Sequence, residues 1–175
     1  MLVARPPATE YPSFAAGYVS RILDDVEPIP ALQRQRDDIL RLLRAVSEEH
    51  SSYCYAPGKW SIKQCVGHMT DAERVFAYRM LRFARGDETP LPGFDENLFM
   101  QGAAFDDLGY ADLVEGWRSV REATITLART VAPDAWRRMG TASNQPASAR
   151  GILYVTLGHT DHHRAVLVER YGLYS

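Results

Sequence analysis

Residues 61–86 read SIKQCVGHMTDAERVFAYRMLRFARG, and their spacing decides the fold. Ile62, Cys65, Met69, Ala72, Phe76, Met80 and Phe83 recur at steps of three or four, which lays one apolar stripe along an α-helix. Ser61 opens a capping box, in which its hydroxyl accepts from the Gln64 amide and the Gln64 side chain reaches back to the Ser61 amide. Gly86 supplies the stop. The stretch predicts a helix over about 61–85.

Working outward, Pro57-Gly58 marks a turn on the near side. Before it, Leu32, Ile39, Leu43 and Val46 predict a helix over about 30–49. Beyond the long stretch 86–108, Leu113, Trp117, Val120, Thr124, Leu127 and Val131 predict a third helix over about 110–131, closed by Pro133. Ile152, Leu153, Leu157, Val166 and Leu167 mark a fourth over about 149–171, with Gly172 past its end. Residues 1–28 carry Pro6, Pro7, Pro12 and Pro28 and are expected to form an irregular lead-in with a short helical turn. Residues 140–150 read as a polar loop, and no alternating strand pattern or internal repeat is visible. Trp60, Trp117 and Trp136 are expected as core or loop anchors. The sum is an all-α protein, a four-helix bundle domain over 29–172. Segment 86–108, with two prolines and three glycines, forms its long crossover connection. Loops longer than about 12–15 residues are usually functional or disordered.

Composition narrows the function. The 175 residues hold 20 Lys and Arg against 22 Asp and Glu, a net charge of −2, and are 46% hydrophobic. That is one domain able to bury a core without staples. No apolar run approaches the roughly 18 residues of a membrane span, so no membrane partner is expected. The N-terminus lacks an apolar signal-peptide core. Only two cysteines, Cys54 and Cys65, argue against a disulfide framework and for the reducing cytoplasm. Without a basic cluster, nucleic acid is not an expected partner. Walker, dinucleotide-binding, nucleophile-elbow and C-x-x-C patterns are absent.

The chemistry lies in the histidines. His159, His162 and His163 fall within G158-H-T-D-H-H163, and His159 and His163 stand four apart, on one helix face. Two imidazoles leave a divalent ion short of ligands, and His68, on the flank of the second helix's stripe, is the candidate third. Unpaired imidazoles inside core-facing patterns are costly, which strengthens a metal reading over three separate buried histidines. Gly67 and Gly158 each directly precede a histidine of the set, and glycine inside a helix costs roughly 1 kcal/mol. Both are candidates for close approach at the site or for packing relief elsewhere. Cys65, a turn before His68, is either a fourth ligand or, preferably, a small buried thiol. His162 projects about 100° away from His163, toward the surface or behind the ligands. Asp71, Glu73 and His162 are candidate catalytic groups, to orient imidazoles or serve as a base, although most helix carboxylates simply face water.

Three passages together resemble a known family: G58-K-W-S-I-K-Q-C-V-G-H-M-T-D-A-E-R-V-F-A-Y-R79, then L91-P-G-F-D-E96, then G158-H-T-D-H-H163. They resemble the DinB-like (DinB/YfiT) superfamily over about residues 28–172. The resemblance implies a four-helix bundle that holds a divalent metal on three histidines, matching His68, His159 and His163. It further implies a low-molecular-weight thiol (bacillithiol, mycothiol or glutathione) transferred to a small electrophile, or a thiol adduct isomerised, and a homodimer. Many members have no known reaction.

Three protein ligands leave an open position, as in catalytic sites. The expected function is a metal-dependent thiol S-transferase. Phe94, Asp95 and Glu96 are candidates to line the mouth, or else plain loop residues. The alternatives are a metal-dependent hydrolase using activated water, and a non-catalytic metal-binding stress protein. Imidazoles suit zinc, nickel, iron and copper alike, with zinc or nickel expected here. Leu91, Phe94, Leu98, Phe99 and Phe105 are many apolar residues for a solvated loop, consistent with the dimer.

Overall fold

The computed structural model describes residues 3–174. Six α-helices carry it: α1 (Ala16–Val19), α2 (Pro28–Arg44), α3 (Ile62–Ala84), α4 (Glu96–Gly102), α5 (Tyr110–Arg129) and α6 (Ala149–Glu169). The four long ones, α2, α3, α5 and α6, form the bundle, with α3 packed most extensively on α6 and α5. The fold is the all-α four-helix bundle expected.

Local chemistry sets the boundaries. The Ser61 hydroxyl accepts from the Gln64 amide at 3.0 Å, and the Gln64 side chain accepts from the Ser61 amide at 3.0 Å, so the expected capping box starts α3. Gly86 ends the turn after α3 with φ of +78°, a region that favours glycine. Helix α2 stops at Arg44 rather than near 49. Past that end, the Glu48 carboxylate accepts from Lys63 Nζ at 2.6 Å and from the Tyr110 amide at 2.8 Å, tying the connection to α3 and α5.

Two expectations need correction. Residues 140–150 are not a plain loop: β1 (Met139–Ala142) pairs antiparallel with β2 (Gln145–Ser148). Ser143 and Asn144 join them with φ of 54° and 58°, the left-handed pair of a tight hairpin turn. Strands of four residues, MGTA and QPAS, are too short and too weakly apolar to show alternation. Segment 86–108 is also more ordered than a bare connection. Leu91 exchanges backbone hydrogen bonds with Thr141 and Ser143, and Asp95 caps α4 by accepting from the Asn97 and Leu98 amides.

The apolar interior falls into two clusters. One gathers Ala72, Phe76, Met80 and Phe83 of α3 with Ile125 of α5 and Ile152, Leu153 and Leu157 of α6. The other gathers Ile39 and Leu43 of α2, Ile62, Val66 and Met69 of α3, Trp117 of α5 and Leu167 of α6. His68, His159 and His163 lie along α3 and α6 where one cluster gives way to the other. Residues before α2 pack onto α6: Val3, Ala15, Val19 and Ile22 are buried. Glu10 accepts from Arg150 and from the Ser148 hydroxyl, which itself caps α6.

A four-helix ion-pair network braces the bundle beside the histidines. Arg121 of α5 donates to both carboxylate oxygens of Glu73 of α3, at 2.8 and 2.7 Å, and both side chains are buried. The same guanidinium donates to Thr160 Oγ1 of α6 at 2.6 Å and to Gln35 Oε1 of α2 at 3.1 Å. Gln35 Nε2 in turn donates to the Leu157 carbonyl at 2.9 Å.

Candidate metal centre

His68 on α3 and His159 and His163 on α6 bring their rings together. His159 Nε2 lies 3.1 Å from His68 Nε2 and 3.2 Å from His163 Nε2, and the three candidate ligand atoms all lie within 4.8 Å of one another. All three residues are buried. Burial holds each imidazole in its neutral form: His68 is pushed down to about 4 and His159 to about 3. His163 falls well below its ordinary range for the same reason, with the adjacent imidazoles adding to it.

These observations fit a divalent ion. Nitrogen ligands about 2.1 Å from a tetrahedral ion stand about 3.4 Å apart, close to the two separations at His159. His159 Nε2 faces two other ring nitrogens and can satisfy only one proton arrangement at a time. Where two of these ring nitrogens present lone pairs to each other they repel, and a cation between them relieves that repulsion.

The structure explains both glycines. A Cβ on Gly158 would lie 2.0 Å from the Tyr18 carbonyl oxygen, and one on Gly67 would lie 2.5 Å from the Phe105 ring. Close approach is the reason, but by α1 and the crossover segment rather than by a long helix. Gly158 thereby lets Tyr18 reach the centre, where its ring meets His159 edge-on at 5.3 Å and His162 at 5.6 Å. Tyr18 is the residue that sequence reasoning missed. It sits in an aperiodic segment, and the only sequence signal was the helix-interior Gly158.

Two clefts open onto the triad and share Tyr18, His68 and Glu96 as walls. The larger, about 460 Å³, adds Trp60, Cys65, His162, His163 and Tyr171. The smaller, about 380 Å³, adds Phe14, Phe76, Arg79, Phe94 and His159. Glu96 of α4 carries a carboxylate oxygen 4.0 Å from His68 Nε2. Phe94, Asp95 and Glu96, expected at the mouth, all line the smaller cleft.

The other sequence candidates are placed differently. His162 lines the larger cleft but stands outside the convergent three, its ring 5.1 Å from that of His163. Asp71 bonds Arg74 at 2.9 Å and Glu73 is committed to Arg121, and neither lines either cleft. Cys65 is also outside the group of three, and burial pushes its thiol up to about 11, which suits a small buried thiol. Trp117 and Trp136 are core residues, whereas Trp60 packs over His68 with ring centroids 4.8 Å apart.

Fold and site together define a class: a helical bundle whose buried three-imidazole cluster faces open clefts. A family model of the DinB superfamily matches residues 31–167, and the chain belongs to that superfamily. Among solved structures it is similar to YfiT from Bacillus subtilis, with TM-score 0.72 and 15% identity over 97% of this chain and 98% of that one. That protein is described as a probable metal-dependent hydrolase with an unusual four-helix bundle topology. It is also similar to a mycothiol-dependent maleylpyruvate isomerase, with TM-score 0.67 and 16% identity over 85% of this chain but 61% of that one. A DinB-like protein of Bacillus subtilis, YjoA, matches with TM-score 0.59 and 17% identity over 84% of this chain and 92% of that one. At these identities the structures share the fold. No curated protein matches the sequence. No helix among the described residues is long and apolar enough to cross a membrane.

Proposed function

We propose that the protein is a divalent-metal-dependent thiol S-transferase acting on a small electrophile, with His68, His159 and His163 as the metal ligands. The observation that carries this reading is the pair of clefts meeting at the triad, because a transfer between two molecules needs two sites with one point in common. A divalent ion held by the three imidazoles would acidify a thiol or water entering its open position. The larger cleft, with polar groups from His162, Glu96, Lys59 and Tyr55, suits a polar thiol. The smaller, walled by Phe76 and Phe94, suits the electrophile. In this reading Glu96, 4.0 Å from His68 Nε2, takes the thiol proton, and the Tyr18 hydroxyl, favoured in its protonated form by burial and by Glu96, donates one to the electrophile. In the balanced step the sulfur forms a bond to an electrophilic carbon, and the displaced electron pair leaves with a leaving group or collects that proton. A mycothiol-dependent protein of the same fold supports a thiol partner.

Hydrolysis is the second reading, favoured by the Glu96 carboxylate at a distance where it can orient water as a base, and by the description of YfiT. The two separate in one assay: metal-loaded protein with an electrophile panel, with and without glutathione, bacillithiol or mycothiol. Turnover that requires the thiol and falls in Glu96→Gln while metal is retained supports the transferase. Thiol-independent turnover moves the assignment to hydrolysis, and no turnover in either arm favours a non-catalytic metal-binding protein.

We also infer a homodimer in a reducing cytoplasm. Tyr78, Leu98 and Phe99 expose large apolar surfaces around α4, and both cysteines are free. A monomer mass by light scattering at micromolar concentration would remove the dimer.

A further inference from the structure

Arg79 stands out among the residues that line the clefts. It occupies an apolar register of α3, between Phe76 and Phe83, and is only 5% exposed. Other buried guanidiniums in this protein have carboxylates: Arg121 has Glu73, and Arg150 has Glu10. Arg79 forms no ion pair among the described residues. Its Nη2 donates to the Pro92 carbonyl at 2.9 Å and to Ser143 Oγ at 3.0 Å. Its Nε and Nη1 donors have no protein acceptor among the described residues. Asp95 and Glu96 line the same cleft, but Asp95 is taken up by the α4 cap and Glu96 stands beside His68.

Burying a charge without a counter-charge is unfavourable, and an apolar residue of similar size would fill an apolar stripe better. Desolvation alone perturbs this guanidinium, with no anion offsetting it. A guanidinium remains charged in a protein regardless. The cleft it lines has aromatic walls, Phe14, Phe76 and Phe94, with Phe94 also under the guanidinium at 5.7 Å, and His68 and His159 line the same cleft.

We propose that Arg79 is the anion-binding residue of the smaller cleft, and that its ligand is a small molecule with an apolar body and an oxyanion head group, a carboxylate or a phosphonate-like group. The aromatic walls take the body, the free guanidinium donors take the head group, and the opposite end of the molecule lies toward the triad. This rests on the reading of the cleft as the electrophile's site, and it narrows that electrophile to an anionic one.

The test is an NMR titration of the full chain, both metal-free and zinc-loaded, with phenylacetate, phenylphosphonate and the neutral phenylacetamide. The Arg79 Nε–H resonance is the reporter. A saturable shift is expected with one or both anions in both metal states, and the pair tells which head group is preferred. Phenylacetamide should bind about tenfold more weakly or worse, the scale of one charge-assisted hydrogen bond. Arg79→Met should lose the binding, and Arg79→Lys, which keeps the charge, should retain part of it. Circular dichroism checks that each variant is folded, and if Arg79→Met is not, Arg79→Gln takes its place. Three results would overturn the proposal: no saturable shift with either anion, equal binding of phenylacetamide, or anion binding confined to zinc-loaded protein and unchanged by the Arg79 variants. In that last case the head group goes to the ion, and the metal-centre reading survives alone. Binding at Arg79 in a chain that takes up no zinc would leave this inference standing and remove the metalloenzyme reading.

Discussion

Replacing Arg121 by methionine tests how the bundle holds its histidines in place. The substitution keeps most of the side-chain volume and removes the charge, leaving the Glu73 carboxylate, 2% exposed, without its partner. It also deletes the donors to Thr160 and Gln35. Breaking a buried ion pair from one side costs about 3–5 kcal/mol, a large share of the roughly 5–15 kcal/mol that stabilises a domain. The double variant Glu73→Leu/Arg121→Met removes both charges, and its cost should be smaller than that of Arg121→Met alone, because no uncompensated ion remains. Urea unfolding at pH 7, followed by circular dichroism on metal-free protein, gives each value. Thr160 adjoins His159, so the single variant should also bind zinc more weakly while its three ligands are intact. A cost for Arg121→Met below about 1 kcal/mol, the scale of an exposed pair, would refute the argument. So would a double variant less stable than the single one.

Three further outcomes follow from the site. Elemental analysis should find one divalent ion per chain, lost in His68→Ala, His159→Ala and His163→Ala and kept in His162→Ala; equal loss in His162→Ala would show that the wrong member of the pair was chosen. Gly158→Ala places a Cβ 2.0 Å from the Tyr18 carbonyl oxygen and should destabilise the chain by about 1–3 kcal/mol while displacing Tyr18, read as a lower urea midpoint and weaker zinc affinity. In metal-free protein His68 and His159 titrate near 4 and 3 when folded, against about 6.5 unfolded. Their contribution is therefore present above pH 6.5 and lost as pH falls toward those folded values. Each steepens the decline by up to about 1.4 kcal/mol per pH unit, and a urea midpoint unchanged between pH 7 and pH 5 would contradict the buried neutral imidazoles.

The long helices were legible because each repeats its signal over several turns. Helix α3 has an apolar stripe, a capping box and a terminal glycine, all pointing to the same boundaries. The two metal-candidate passages were legible for a related reason: His159 and His163 are one turn apart, and helical geometry alone puts them on one face. What stayed hidden depends on contacts between distant segments. Glu73 looked like a spare carboxylate near His68, and only the packing of α5 against α3 reveals that Arg121 claims it. The hairpin spends four residues on each strand, less than a periodic signal needs.

Tyr18 and Arg79 show where the limit falls for function. Gly158 was open to close approach at the site or to packing relief elsewhere, and nothing along the chain says that the neighbour is the backbone of Tyr18, about 140 positions away. Arg79 drew no attention in the sequence, where the stripe reads through Phe76, Met80 and Phe83, although a cation in that register is a local conflict of the kind that marks a functional position. Its lack of a partner is a property of everything packed around it and so can be read only in three dimensions. The three histidines are local to two helices, whereas the walls of the smaller cleft come from the N-terminal segment, the crossover and the far end of α3. Chains that share the bundle and the triad can therefore differ in reaction without any change in the pattern that identifies them. The place to look for the substrate is the side chains that pattern omits.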